Sequence, residues 1–208
     1  SNSISNGEGA IHVFDVRDPR APLEVAEIRS PSPGRPYEAK VVGGRLFAFF
    51  RNEDSPQRDA TLLVVDVSVP SAPVLLGMIT GQHWWDLWPT QDGRFVLVTE
   101  RGTDPLFRSV AIYDVSNPGD IRVAGSYRSL IGTRPSGIAG LGDRALIAFS
   151  GGLGFGSGVE ILDISSPARP RLVGFYDFGG GVAPALRLTP GGGILTVVHD
   201  QLQILGSQ

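Results

Sequence analysis

Val64 to Pro73 reads V-V-D-V-S-V-P-S-A-P, and the same phrase is spelled three more times along the chain. Val13 to Pro22 is V-F-D-V-R-D-P-R-A-P, Ile112 to Ile121 is I-Y-D-V-S-N-P-G-D-I, and Ile161 to Pro170 is I-L-D-I-S-S-P-A-R-P. The aspartates stand at Asp15, Asp66, Asp114 and Asp163, which sets spacings of 51, 48 and 49 residues. A proline follows each one four positions on, at Pro19, Pro70, Pro118 and Pro167. Eleven positions after the aspartate come Gly77, Gly125 and Gly174, with Ala26 in that place in the first copy. Matched offsets over four copies define a repeat unit of about 50 residues, and such a unit cannot bury its own apolar face. Neighbouring units must therefore pack on one another.

Between the phrases, short runs rich in Val, Ile, Leu and Phe are separated by Gly, Pro and Asp turns, which is the signature of strands. One unit reads as four strands. A weakly apolar first strand meets a Gly/Asp turn, and a strongly apolar second strand follows, such as Arg45-Leu46-Phe47-Ala48-Phe49-Phe50. After a polar loop, here Arg51 to Asp59, the third strand (Thr61 to Val67) ends in the aspartate phrase and the fourth carries the glycine. The next units run His83 to Tyr127 and Arg134 to Tyr176. Four short antiparallel strands per unit is the blade of a β-propeller. The expected fold is therefore all-β, a single propeller-like repeat domain over 1–208 with blades of about 49 residues.

Within such a blade the aspartate can accept bonds from turn amides, and the proline fixes φ where a ladder amide is no longer needed. Asp15, Asp66, Asp114 and Asp163 are accordingly read as turn caps rather than as a ring of metal ligands. Glycine in the fourth strand points to a close backbone contact or a bulge. Two strands, Ala10 to Val16 and Leu23 to Ile28, precede the first full unit, and the last unit is cut short. The strand count admits a four-bladed ring closed by a composite blade, a fragment of a larger propeller, a short barrel or an open solenoid. An incomplete ring would leave self-association open.

The phrase also resembles a known repeat. Val64 to Gly77 (V-V-D-V-S-V-P-S-A-P-V-L-L-G) and Ile161 to Gly174 (I-L-D-I-S-S-P-A-R-P-R-L-V-G) are similar to the LVIVD repeat, found in tandem in bacterial and archaeal proteins, many secreted or surface-bound. Arg17 replaces the usual serine of the first copy, Ala26 its glycine, and Ile121 the second proline of the third. The resemblance implies a propeller-like β repeat and an extracellular, cell-surface or periplasmic location. It implies no agreed catalytic residues.

Composition narrows the function. The formal net charge is −3 and no basic stretch tracks a phosphate backbone, so nucleic acid has no positive support as a partner. Cysteine is absent, which removes disulfides and thiolate chemistry. No apolar run reaches transmembrane length. The sequence begins at Ser1 without methionine, so nothing follows about a signal peptide.

The anomalous stretch is Gln82-His83-Trp84-Trp85-Asp86-Leu87-Trp88, which holds all three tryptophans. Counted back from the following turn, Trp85 occupies the place of Pro36, Pro135 and Pro184. Strict alternation puts His83, Trp85 and Leu87 on one face and Trp84, Asp86 and Trp88 on the other. One face packs into the core, and the other could present an aromatic platform with His83 or Asp86 beside it. A second candidate set comes from the exits of the second strands: Arg51, Glu100, Ser150 and His199, then Asn52, Arg101, Gly151 and Asp200. Of these, Arg51, Glu100, Arg101, His199 and Asp200 would form a mixed-charge rim, where loops on a rigid scaffold usually carry recognition. The bland alternative is solvent exposure with weak ion pairs.

The glycine-rich Gly151 to Gly158 lacks the lysine and the strand-to-helix setting of a phosphate loop. His12, His83 and His199 have no metal-ligand spacing, and no serine elbow is present. No cofactor, metal or catalytic residue is assigned. The leading reading is a non-catalytic binding module with a protein or carbohydrate partner at its surface. The alternatives are a hydrolase or other enzyme with a shallow acid/base or metal site at one mouth, and a purely structural unit of a longer extracellular chain.

Overall fold

A computed structural model describes residues 9–56, 58–101, 108–129, 134–150, 158–177, 186–188, 194–198 and 201–205. The described residues form strands and one 3-10 turn, Pro118–Asp120. The strands are β1 (Ala10–Asp15), β2 (Leu23–Arg29), β3 (Arg35–Val42), β4 (Arg45–Arg51), β5 (Asp59–Asp66), β6 (Val74–Gln82), β7 (Trp84–Pro89), β8 (Phe95–Arg101) and β9 (Arg108–Asp114). They continue as β10 (Arg122–Arg128), β11 (Arg134–Leu141), β12 (Arg144–Ser150), β13 (Gly158–Asp163), β14 (Arg171–Asp177), β15 (Leu186–Leu188), β16 (Ile194–Val198) and β17 (Gln201–Leu205).

Three sheets have four strands in sequence order, β3 to β6, β7 to β10 and β11 to β14. β1 and β2 form a two-stranded sheet, and β15 to β17 a three-stranded one. The molecule is therefore all-β, and its four-stranded antiparallel sheets have the build of propeller blades. Each coincides with one repeat unit. The chain divides into two compact units, Ser1–Trp84 with Val115–Ile121, and Trp85–Asp114 with Arg122–Gln208.

The burial of each strand follows its place in the sheet. β4 and β5 are buried at almost every position because both faces are covered, hence their unbroken apolar runs. In the first unit Leu46, Ala48, Phe50, Leu63 and Val65 pack with Ile28. In the second, Leu97, Val110 and Ile112 pack against Ile138, Ile147, Phe149 and Leu162. The fourth strands, β6, β10 and β14, are mixed and largely exposed.

The repeated phrase makes the same turn each time. The Ser68 amide donates to Asp66 Oδ1 at 2.8 Å, the Ser165 amide to Asp163 Oδ1 at 2.9 Å, and the Arg17 amide to Asp15 Oδ1 at 3.0 Å. One residue after the aspartate, the Val67 and Ile164 amides reach back to the carbonyls of Gly44 and Asp143. Asp114 ends β9 at the equivalent position. The third copy departs from the others by the 3-10 turn, which starts at Pro118, the proline of its phrase, and includes Gly119 and Asp120.

Both readings of the strand-four glycine hold, and they are linked. Opposite strand three, each fourth strand carries one extra residue: Val25, Leu76, Ala124 and Val173. In every copy that bulge immediately precedes Ala26, Gly77, Gly125 or Gly174, and a bulge increases local twist. At two glycines the proline turn of the next repeat then comes very close. An added Cβ would lie 1.8 Å from the Pro118 carbonyl oxygen at Gly77, and 2.1 Å from that of Pro167 at Gly125. The glycine of one repeat is thus the seat of the next repeat's proline carbonyl. At Gly174 an added Cβ would meet, among the described residues, only the Ile161 side chain at 3.4 Å.

Gly77→Ala and Gly125→Ala should each destabilise by about 3 kcal/mol, since a backbone carbonyl must move, whereas Gly174→Ala should stay within about 0.5 kcal/mol. Chemical denaturation of the three variants checks this ordering. The Asx turns should also show in acid. The Ser68 hydroxyl and amide hold the Asp66 carboxyl below its ordinary pKa of 3.8, and Ser165, with Arg144, does the same for Asp163. A lowered folded pKa contributes stability above the unfolded value that is lost as pH falls through the folded one. The Asp66→Asn/Asp163→Asn variant, which keeps the turn oxygen, should match the wild type more closely at pH 2 than at pH 7 in melting temperature.

Candidate functional site

Burial along the tryptophan stretch does not separate into one buried and one exposed face. β7 starts at Trp84, and His83 is the link before it, held at φ 57°. A non-glycine residue there is uncommon and strained. Its amide donates to the Arg58 carbonyl at 3.1 Å, and Arg58 itself sits at φ 50°. Trp84 and Leu87, three residues apart, are both fully buried, while Trp85, Asp86 and Trp88 are half-buried. The equivalent strands are irregular at one place. β3 and β11 each slip register by one residue, at Tyr37 and Ser136, and Asp86 occupies that same place in its repeat. In β3 and β11 the slip falls where strict alternation of the sequence would place a regular strand residue.

Two of the tryptophans pack against glycines. The Trp84 ring lies over Gly81, where an added Cβ would come within 2.2 Å of it. Trp88 lies over Gly140 in the same way, at 2.4 Å, and touches the cores formed around Ile138 and Ala139. Asp86 is tied on both sides. Its amide donates to Thr99 Oγ1 at 3.0 Å, its Oδ1 accepts the Leu87 amide at 2.8 Å, and its Oδ2 accepts the Ile138 amide of β11 at 2.9 Å. This carboxylate bridges two sheets of the second unit.

The rim residues fall in different surroundings. Arg51 is buried, with its guanidinium 3.8 Å above the Tyr37 ring and paired to Glu53. Tyr37 in turn stacks on Phe49 with centroids 5.3 Å apart. A cation over an aromatic face is stabilising, so this arginine is held by packing as well as by charge. Glu100 accepts the Tyr113 hydroxyl at 2.8 Å in the second unit. Arg101 ends β8, and His199 and Asp200 lie outside the described residues, as does 151–157 of the glycine-rich segment.

The first unit also has a cleft that sequence reasoning did not assemble. It holds about 500 Å3 beside the exit of β4 and is lined by Ser32, Asn52, Asp59, Thr80, Gly81 and Gln82, among others. Asn52 follows Arg51, Asp59 opens β5 and Gln82 closes β6, so the strand pairing Asp59↔Gln82 places them together. Asp59 accepts the Ser55 hydroxyl at 2.7 Å and the Gln82 amide at 3.4 Å. The Asn52 side-chain oxygen accepts the Asp54 amide at 3.1 Å. Amides, hydroxyls and a carboxylate converge here, groups that can both donate and accept. Asn52 alone of these stood in the strand-exit set; the others come together through register.

Glu160 is the second residue that the strand reading passed over. It is fully buried in β13 and accepts the Ser129 hydroxyl at 2.9 Å. Its signal was a carboxylic acid in an otherwise apolar strand where the other copies have His12, Leu63 and Ala111. Among the described residues, no three of His, Asp and Glu gather in a group that could hold a metal ion.

The LVIVD repeat family model matches residues 57–80 and 137–178. No curated protein matches the chain. Among solved structures, hydrazine synthase of Kuenenia stuttgartiensis is similar at 18% identity and TM-score 0.67, over 95% of this chain and 65% of that one. A hypothetical selenium-binding protein from Sulfolobus tokodaii is similar at 15% identity and TM-score 0.64, over 85% of this chain and 48% of its own. A protein from Lactobacillus plantarum is similar at 16% identity and TM-score 0.62, over 97% and 65%. The chain spans less than two thirds of the length of each of these. At such identities the likeness is one of fold. The chain carries the LVIVD repeat in an all-β, propeller-like repeat architecture.

Proposed function

We propose that this protein is a non-catalytic binding module, exported or displayed at the cell surface, with its sheets serving as the blades of a propeller. The contact surface is the strand-exit cleft of the first unit, and the ligand is a neutral, hydroxyl-rich chain, a carbohydrate. The observation that carries the reading is the convergence of Ser32, Asn52, Thr80 and Gln82 on one cleft of about 500 Å3. That volume lies within the range of ligand sites, and side-chain amides and hydroxyls suit sugar hydroxyls, which also donate and accept.

Acid/base hydrolysis of a glycoside uses two carboxyl groups across the scissile bond. Among the described residues lining the cleft there is one, Asp59, and it is already engaged by Ser55 and Gln82. Binding is therefore favoured over cleavage. The surface location is supported by the repeat itself, whose relatives are often secreted. No helix among the described residues is long and apolar enough to cross a membrane. Hydrazine synthesis and selenium binding belong to the named neighbours and are not carried over at this level of identity.

The test is a glycan array probed with the purified protein and with an Asn52→Ala/Gln82→Ala variant. A retained glycan whose signal drops at least tenfold in the variant, with the melting temperature unchanged, supports the assignment; a tenfold loss corresponds to about 1.4 kcal/mol. Signal that is equal in both proteins, or none on the array, overturns it. Asp86→Ala should behave differently. It orphans the Ile138 and Leu87 amides and should lower stability by about 1–3 kcal/mol while leaving the array pattern intact.

A further inference from the structure

The turn into the second strand of a unit takes two forms. Between β3 and β4 it is Gly43-Gly44, and between β11 and β12 it is Gly142-Asp143, so an arginine opens the next strand each time. Strand pairing sets that arginine opposite the aspartate of the repeated phrase, Arg45↔Asp66 and Arg144↔Asp163. Arg144 forms a salt bridge there, 3.0 Å from Asp163 Oδ1. Between β7 and β8 the connection is longer, running from Thr90 to Arg94. Phe95 now stands opposite the phrase aspartate, Asp114, and the arginine is left one position outside the strand.

The longer turn is held from within. The Thr90 amide donates to the Phe95 carbonyl at 2.9 Å, and the Phe95 amide donates to Thr90 Oγ1 at 3.1 Å. Asp92 Oδ1 accepts the Thr90 hydroxyl at 2.6 Å and the Arg94 amide at 3.1 Å. These bonds fix one wall of a cleft of about 490 Å3 that lies within the second unit. Thr90, Asp92, Arg94, Phe95, Asp143 and Pro167 line it, among others. The cleft carries charge of both signs. Arg94 is exposed, with its guanidinium 5.5 Å from the Phe95 ring centroid, and it makes no salt bridge among the described residues. Asp143 is exposed too. Its backbone carbonyl accepts the Ile164 amide, while its carboxylate accepts no hydrogen bond among the described residues. Both bonds to Asp92 fall on the same oxygen.

We infer that this cleft binds a zwitterionic small molecule of the amino-acid class. Arg94 meets the ligand carboxylate, Asp143 and Asp92 meet its ammonium group, and Phe95 with Pro167 receives its apolar part. A guanidinium presents paired N–H donors that fit a carboxylate, and hydrogen bonds between ionised groups are the strong ones. A ligand with one charge alone would leave the opposite group of the cleft unanswered, whereas a zwitterion complements both. The volume lies within the range of small-molecule sites. The strand-exit cleft belongs to the first unit and this one to the second, so the inference does not rest on the carbohydrate reading.

Isothermal titration calorimetry of the purified protein with free L-amino acids and unblocked dipeptides as probes tests it. At least one apolar probe should bind. Its N-acetyl form and its C-terminal amide form should each bind about tenfold more weakly or worse, since each loses one charge. Arg94→Gln should weaken the free probe by about tenfold and leave the amide form as it is in the wild type. Asp143→Asn should weaken the free probe equally and leave the N-acetyl form as it is. Both side chains are exposed, so the melting temperature should not change. The blocked probes make the same test on the wild type if a variant does not fold. Absence of binding by every free amino acid and dipeptide overturns the inference. So do blocked probes that bind as well as the free one, and folded variants that bind the free probe as the wild type does.

Discussion

A carbonyl oxygen occupying the space of a missing side chain is the contact on which the repeat architecture rests. Gly77 and Gly125 have no Cβ, and the Pro118 and Pro167 carbonyls approach to where one would be. The bulge before each glycine bends the fourth strand at that point, and the Asx turn at Asp163 holds the incoming loop of Pro167. Aspartate, proline and glycine are therefore parts of one joint between successive units. Their spacing recurs because the joint does.

Once that joint is made, the inner strands can be apolar on both sides. β4 and β5 are buried along almost their whole length, which is the condition for their unbroken Phe, Leu and Val runs. Local exceptions are met locally. The two large indoles of Trp84 and Trp88 lie over Gly81 and Gly140, where a smaller neighbour leaves room. Asp86 reaches the Ile138 amide of the neighbouring sheet and satisfies a group that would otherwise be left without its bond.

Polar chemistry collects where the strands end. Asn52, Asp59, Thr80 and Gln82 belong to a loop and the adjoining ends of two strands, β5 and β6, and the antiparallel ladder brings them to one cleft. A rigid sheet whose exits carry variable polar residues is a general way of separating stability from recognition. The same division explains why the core residues of the two units carry so little of this polar chemistry.

The amino-acid sequence alone determined the all-β class, the four-stranded unit, its period and the turn chemistry. These are local properties, written in alternation, in turn residues and in offsets that repeat from Asp15 to Asp163. Even the choice offered for the strand-four glycine, bulge or close contact, was legible, although that both occur together was not. What only the tertiary structure decided depends on atoms far apart in the chain. It placed Trp84 and Leu87, three residues apart, both in the interior. It laid Arg51 over Tyr37 and gathered the cleft from two strands and the loops beside them. It also buried Glu160, a charge that the strand pattern absorbed without notice. Local periodicity specifies which way a side chain faces along a regular strand; register, bulges and the neighbouring unit decide what it meets.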